Sequence, residues 1–171
     1  MKKIKKAKGF RVDHTKLEPG FYLSKRQHVR SGETIAYVTV FELRFFAPHD
    51  KYYLTQSGVH TIEHLGVNFL LDHPVVGDKI IHFGPMGSLT GFYLVVAGWY
   101  NADPNSECFA AVKDMLRYIL NYTGDVPGAT VEECGNYRLH DLWLAKLYAK
   151  EYLDTLEHNP CFNYPTLEVK T

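Results

Sequence analysis

His60-Thr61-Ile62-Glu63-His64 sets two histidines and a carboxylate within five residues of each other. On a helix, residues four apart lie one turn above each other, so His60 and His64 can chelate one metal from a single face. Glu63 follows His60 by three and brings a carboxylate near the same place, where it can move protons. A catalytic divalent metal needs a third protein ligand and keeps one position open. Cys134, in Glu132-Glu133-Cys134-Gly135-Asn136-Tyr137, is the candidate. A thiolate in a glycine-flanked turn before a helix gains from the helix N-terminus and from the metal. Cys108 falls in an amphipathic helix pattern and Cys161 in the tail, which suit a ligand less well. Pro85-Met86-Gly87-Ser88-Leu89-Thr90-Gly91 forms a tight turn that can present Ser88 at a pocket. Each feature also has a plain structural reading: two histidines spaced by chance, a buried thiol, an ordinary hairpin.

Those residues need elements to hold them. Thr34–Phe46 reads as a half-buried strand, with Ile35, Tyr37, Phe41, Leu43 and Phe45 on one face and the polar Glu42 and Arg44 on the other. Phe21–His28 is a weaker strand after the Pro19-Gly20 turn. Ser57–His73 reads as a helix carrying the His60–His64 pair, capped by Ser57 and stopped by Pro74. Lys79–Phe83 and Thr90–Gly98 flank the Ser88 turn as two more strands. A helix starts at Asp103-Pro104 and runs to about Tyr122, ending at Gly124. The last helix covers about Tyr137–His158. Strands and helices follow without regular alternation, so the pattern favours a single α+β domain with an antiparallel sheet packed against helices.

The chain has 171 residues, 46% hydrophobic and 22% charged, which suits one domain with one core. Five of its 19 basic residues lie in Met1–Lys8; without them 14 basic face 19 acidic residues, a net of −5. The reading is a basic, solvated arm over 1–8, a domain over 9–158, and a coil tail over 159–171. A zero overall balance argues against a nucleic-acid binder. No apolar segment follows the lysines, and no run approaches the roughly 20 residues of a membrane span. Three cysteines make no disulfide framework and fit a reducing compartment, so a cytoplasmic protein is expected.

Taken together, these blocks resemble the S-ribosylhomocysteine lyases, the LuxS-type synthases of the autoinducer-2 precursor, from about Phe10 to Tyr152. The matching stretches are Val12-Asp13-His14-Thr15-Lys16, Phe41-Glu42-Leu43-Arg44-Phe45, His60-Thr61-Ile62-Glu63-His64-Leu65, Pro85-Met86-Gly87 with Thr90-Gly91, and Glu133-Cys134-Gly135-Asn136-Tyr137. The resemblance implies a homodimer with active sites at the subunit interface. It implies one divalent metal per subunit on His60, His64 and Cys134, iron(II) with zinc or cobalt as substitutes. The implied reaction cleaves S-ribosylhomocysteine to homocysteine and 4,5-dihydroxypentane-2,3-dione, by carbonyl migration and beta-elimination. Each step removes a proton alpha to a carbonyl, which a Lewis acid assists and a base must carry out. Glu63 and the residue at 88 are the implied catalytic groups, and Phe10, His14 and Arg44 the implied substrate contacts.

The sequence departs from the family at telling positions. Ser88 stands where the family has its catalytic Cys. A serine hydroxyl is a far weaker acid than a thiol and needs an adjacent base to act, so binding should survive while turnover falls. His82 stands where many relatives carry an acid; lying just before the Ser88 turn, it is expected as a pocket residue. Gly9 replaces a small polar residue before the family's Phe. Two other readings remain: a catalytically disabled relative that binds substrate, and a metallopeptidase sharing the H-x-x-E-H pattern of the inverzincins.

Overall fold

The computed structural model describes residues 12–50 and 52–165; Phe10, Gly9 and the arm over 1–8 lie outside them. Strands β1 (Gly20–Ser31), β2 (Thr34–Arg44), β3 (Ile80–Pro85) and β4 (Gly91–Ala97) form one antiparallel sheet in the order β1-β2-β4-β3. Helices α1 (Gln56–Leu71), α2 (Glu107–Asn121) and α3 (Leu142–His158) pack together on one face. Phe41, Leu43, Phe92 and Leu94 meet Ile62, Leu65, Val112, Met115 and Tyr152 in a single core. The α+β reading of the sequence matches this architecture.

Three helix starts shift, each for a local reason. Thr55, not Ser57, caps α1: its hydroxyl accepts from the Gly58 N–H at 3.2 Å. Asp103 accepts from the Asn105 N–H at 2.8 Å, so Asp103-Pro104 closes a turn and α2 waits for Ser106. Asp141 caps α3 through the Leu144 N–H, so residues 137–141 stay outside the helix. Cys134 therefore lies outside the turn that opens α3, in a turn of its own where its N–H donates to the Thr130 carbonyl at 3.1 Å.

The alternation in β2 also has two outcomes. Phe41 and Leu43 are buried under the helices, but Ile35 and Tyr37 on the same face are exposed. β4 pairs β2 only from Val38 to Arg44; beyond it the hairpin is two-stranded, with the Tyr37 ring edge-on to Trp99 at 5.3 Å. The other face is not solvated as expected at its far end. Glu42 and Arg44 are only 6% and 7% exposed and form an ion pair at 2.7 Å. The tail differs too. Cys161 bridges Gly20, the Phe21 N–H donates to the Cys161 carbonyl at 2.9 Å, and Tyr164 stacks on Tyr22 at 4.7 Å. Aromatic burial thus draws residues 161–165 onto β1 instead of leaving them as free coil.

Candidate metal centre and adjoining cavity

Helix α1 places His60 and His64 one turn apart, with ring centroids 4.6 Å apart. His60 Nδ1 lies 2.9 Å from the Leu139 carbonyl, and His64 Nδ1 lies 2.7 Å from the Pro127 carbonyl. A carbonyl only accepts, so both Nδ1 atoms carry the proton and both Nε2 atoms keep a free lone pair. This backbone support fixes ring orientation, as around metal-ligating histidines generally. The 127 loop reaches His64 through Gly128, whose φ of +69° suits glycine.

Cys134 Sγ stands 3.3 Å from His60 Nε2 and accepts from the Asn136 N–H at 3.4 Å. A fourth residue joins them. His140 stacks on His60 at 4.1 Å and lies edge-on to His64 at 4.7 Å. One ligand atom from each of His60, His64, Cys134 and His140 fits within 4.8 Å of the others. Burial, and then its neighbours His60 and His64, push the His140 imidazole down to about 4. Sequence reasoning missed His140, because residue 140 fell inside the expected helix. The signal was a further histidine six residues after the candidate thiol. The donor set is imidazole and thiol without carboxylate, which suits iron(II), cobalt(II) or zinc over magnesium or calcium.

Glu63 is half-buried beside this cluster and reaches edge strand β3. A Cβ on Gly84 would come within 3.4 Å of Glu63 Oε1 and 2.6 Å of His82 Nε2. The two side chains thus share the space left by a glycine. His82 itself is exposed and does not line the cavity that holds Ser88, contrary to its expected place. A register shift between Ile80 and His82 leaves Ile81 as the extra residue, while His82 pairs with Val95 on the ladder.

That cavity, of about 590 Å³, opens on the sheet face away from the helices. His14, Glu42, Arg44, Ser88, Thr90 and Tyr93 line it. Its floor is a hydrogen-bonded chain. Arg44 gives Nε and Nη2 to Glu42 Oε2 and Nη1 to Thr90 Oγ1 at 2.8 Å, and Thr90 pairs with Ser88 at 2.8 Å. Ser24 closes the chain on Glu42. His14 donates Nδ1 to the Val12 carbonyl, leaving Nε2 for another partner. The turn that presents Ser88 is held open by Leu89 at φ +56°, a strained conformation tied by its N–H to Met86 and its carbonyl to Leu54. The structure thus joins His14, Arg44 and Ser88 in one place and His60, Glu63, His64 and Cys134 in another. No metal-cluster residue lines the cavity.

Residues 7–161 match the family described as S-Ribosylhomocysteinase (LuxS). The chain is 40% identical over 168 residues to an S-ribosylhomocysteine lyase of Phocaeicola vulgatus, covering 96% of this chain and all of that protein. An S-ribosylhomocysteine lyase of Desulfotalea psychrophila is 39% identical over 156 residues, 91% of this chain and 94% of its own. Another, of Clostridium acetobutylicum, is 34% identical over 165 residues, 95% of this chain and 99% of its own.

Proposed function

Because the chain belongs to the S-ribosylhomocysteinase (LuxS) family, we propose how its residues carry the cleavage of S-ribosylhomocysteine to homocysteine and 4,5-dihydroxypentane-2,3-dione. The protein is a carbon–sulfur lyase of this kind. The observation that carries the reading is the cluster of His60, His64, Cys134 and His140 standing within a match that spans most of the chain.

His60, His64 and Cys134 are the proposed ligands of a divalent ion, iron(II) with zinc or cobalt as substitutes. When bound, such an ion supplies Lewis-acid polarisation of the sugar oxygens. The chain's own residues do the rest. Glu63, beside the cluster, takes and returns a proton on neighbouring carbons. Arg44 and His14 orient substrate oxygens or its carboxylate, with Phe10 as a further contact. Glu42 and Thr90 already hold the Arg44 guanidinium, so it meets the substrate in a fixed orientation. Ser88 stands at the second acid/base position. Its hydroxyl meets the Thr90 hydroxyl, which is no base, and this supports a slow proton transfer there. His82 is proposed as an accessory to Glu63 more than to the cavity.

The reading extends to a homodimer. Within one chain the cavity and the metal cluster share no residue, and a second subunit that sets one against the other's partner half would unite them. Localisation in the cytoplasm is supported by three free cysteines among the described residues. No described helix is long and apolar enough to cross a membrane.

The test loads the protein with iron(II) or cobalt(II), adds S-ribosylhomocysteine and titrates released thiol. Ser88→Cys should release homocysteine at least about 100-fold faster than the Ser88 protein, the scale of one acid/base group. No thiol from either protein would end the lyase reading.

A further inference from the structure

His14 and Arg44 line the cavity, and the C-terminal tail reaches the supports of both. His14 sits in a turn. The Asp13 carboxylate accepts from the Thr15 N–H at 3.0 Å and the Thr15 hydroxyl at 2.6 Å, and the Asp13 carbonyl accepts from the Lys16 N–H at 3.2 Å. Buried Leu17 anchors the far end of this turn. At the near end the Asp13 N–H donates to the Pro165 carbonyl at 2.9 Å, one residue from His14. Tyr164, next to that carbonyl, stacks on buried Tyr22, whose hydroxyl donates to the Glu18 carbonyl at 2.7 Å. The Tyr164 hydroxyl is buried and has no hydrogen-bond partner among the described residues. Burial, and then the Glu42 carboxylate beside it, hold this phenol well above its usual range. It therefore stays a neutral cover over the Glu42 end of the ion pair. Glu42 and Thr90 take the Nε hydrogen and one hydrogen from each Nη of Arg44, which leaves one on each Nη for a ligand. The family match ends at residue 161, so it gives Tyr164 and Pro165 no part in this site.

We propose that Tyr164 and Pro165 are positioning residues of the substrate cavity, holding His14 and the Glu42–Arg44 pair in binding geometry from the C-terminal tail. This rests on the reading above that the cavity takes S-ribosylhomocysteine. The tail has the anchors the task needs. Cys161 bridges Gly20, Phe162 lies edge-on to Phe109 at 5.2 Å, and Tyr164 stacks on Tyr22. A turn held in place before the ligand arrives loses less freedom when it binds, so an anchored tail raises affinity without touching the ligand. The coupling is reciprocal: bound substrate must steady the tail as much as the tail favours substrate.

The experiment uses the full chain loaded with zinc, with calorimetric titration of S-ribosylhomocysteine and hydrogen exchange at the Asp13 amide. Tyr164→Ala should weaken S-ribosylhomocysteine about 10-fold and speed Asp13 exchange, with zinc affinity unchanged. Tyr164→Phe keeps the ring and loses only an unpartnered hydroxyl, so it should match the parent in both. A tail that merely adds stability would lower the urea midpoint of Tyr164→Ala and leave substrate affinity alone. Should Tyr164→Ala not fold, the parent still decides: bound S-ribosylhomocysteine should slow its Asp13 exchange. Parent-like exchange in Tyr164→Ala, faster exchange with parent-like affinity, or a parent amide indifferent to substrate would each overturn the proposal and leave the lyase reading standing. A parent that takes zinc but no S-ribosylhomocysteine would end the cavity reading, and the proposal with it.

Discussion

Cys108 and Cys134 show how much environment decides what a thiol does. Cys108 is fully buried in α2, and burial, followed by Glu107, pushes its thiol up to about 12. Cys134 is half-buried beside His60. Alkylation of the native, metal-free protein at pH 8 should label Cys134 and Cys161 and spare Cys108 until the chain unfolds. Zinc should protect Cys134; labelling of Cys108 at the same rate as the others would refute its burial. The raised value also has a sign in stability. Between pH 9 and about 12 the unfolded chain releases the Cys108 proton while the folded one keeps it, so stability falls as pH rises through that window. At this scale the sequence was informative where spacing along one helix does the work, as for His60 and His64. It was silent on His140, whose place depends on a hydrogen bond to Thr61, 79 residues away in the chain.

At the scale of elements, β2 carries the decisive pair. Glu42 and Arg44 lie on its non-helical face, where alternation alone predicted solvent. Ser24 on β1 and Thr90, just before β4, supply the partners that let two charges stay buried. Arg44→Ala would leave the Glu42 carboxylate without its charge partner, at a cost of roughly 3–5 kcal/mol. Replacing both, with Glu42→Leu and Arg44→Met, should recover most of that loss. Urea midpoints of the three proteins check this, and equal midpoints for Arg44→Ala and the parent would contradict it. The periodicity of β2 located the strand but could not see which cross-strand neighbours its polar residues would find. The same holds for the start of α3. Residues 137–141 have helix-compatible chemistry, yet the Leu139 carbonyl is taken by His60 and the Asp141 N–H by Thr61, so the segment stays outside the helix and lies along α1.

For the whole molecule, order along the chain was legible because each motif sits at a turn or helix that local chemistry marks. What lay beyond the sequence was where the motifs end up relative to one another. Helix α1 holds the metal cluster on one side, and the sheet holds His14, Arg44 and Ser88 on its other face. Two defects placed on different sides of this divide need not be additive; they can cancel. In a Ser88→Cys background, His60→Ala removes a proposed metal ligand and His14→Ala a cavity residue, and each variant of the proposed homodimer should be inactive. After the two are unfolded together and refolded, about half the dimers carry both variants, and each such dimer has one site with every residue intact. Mixing two dead proteins should then return about a quarter of the parent rate. Activity that fails to reappear would mean that each subunit builds its site alone.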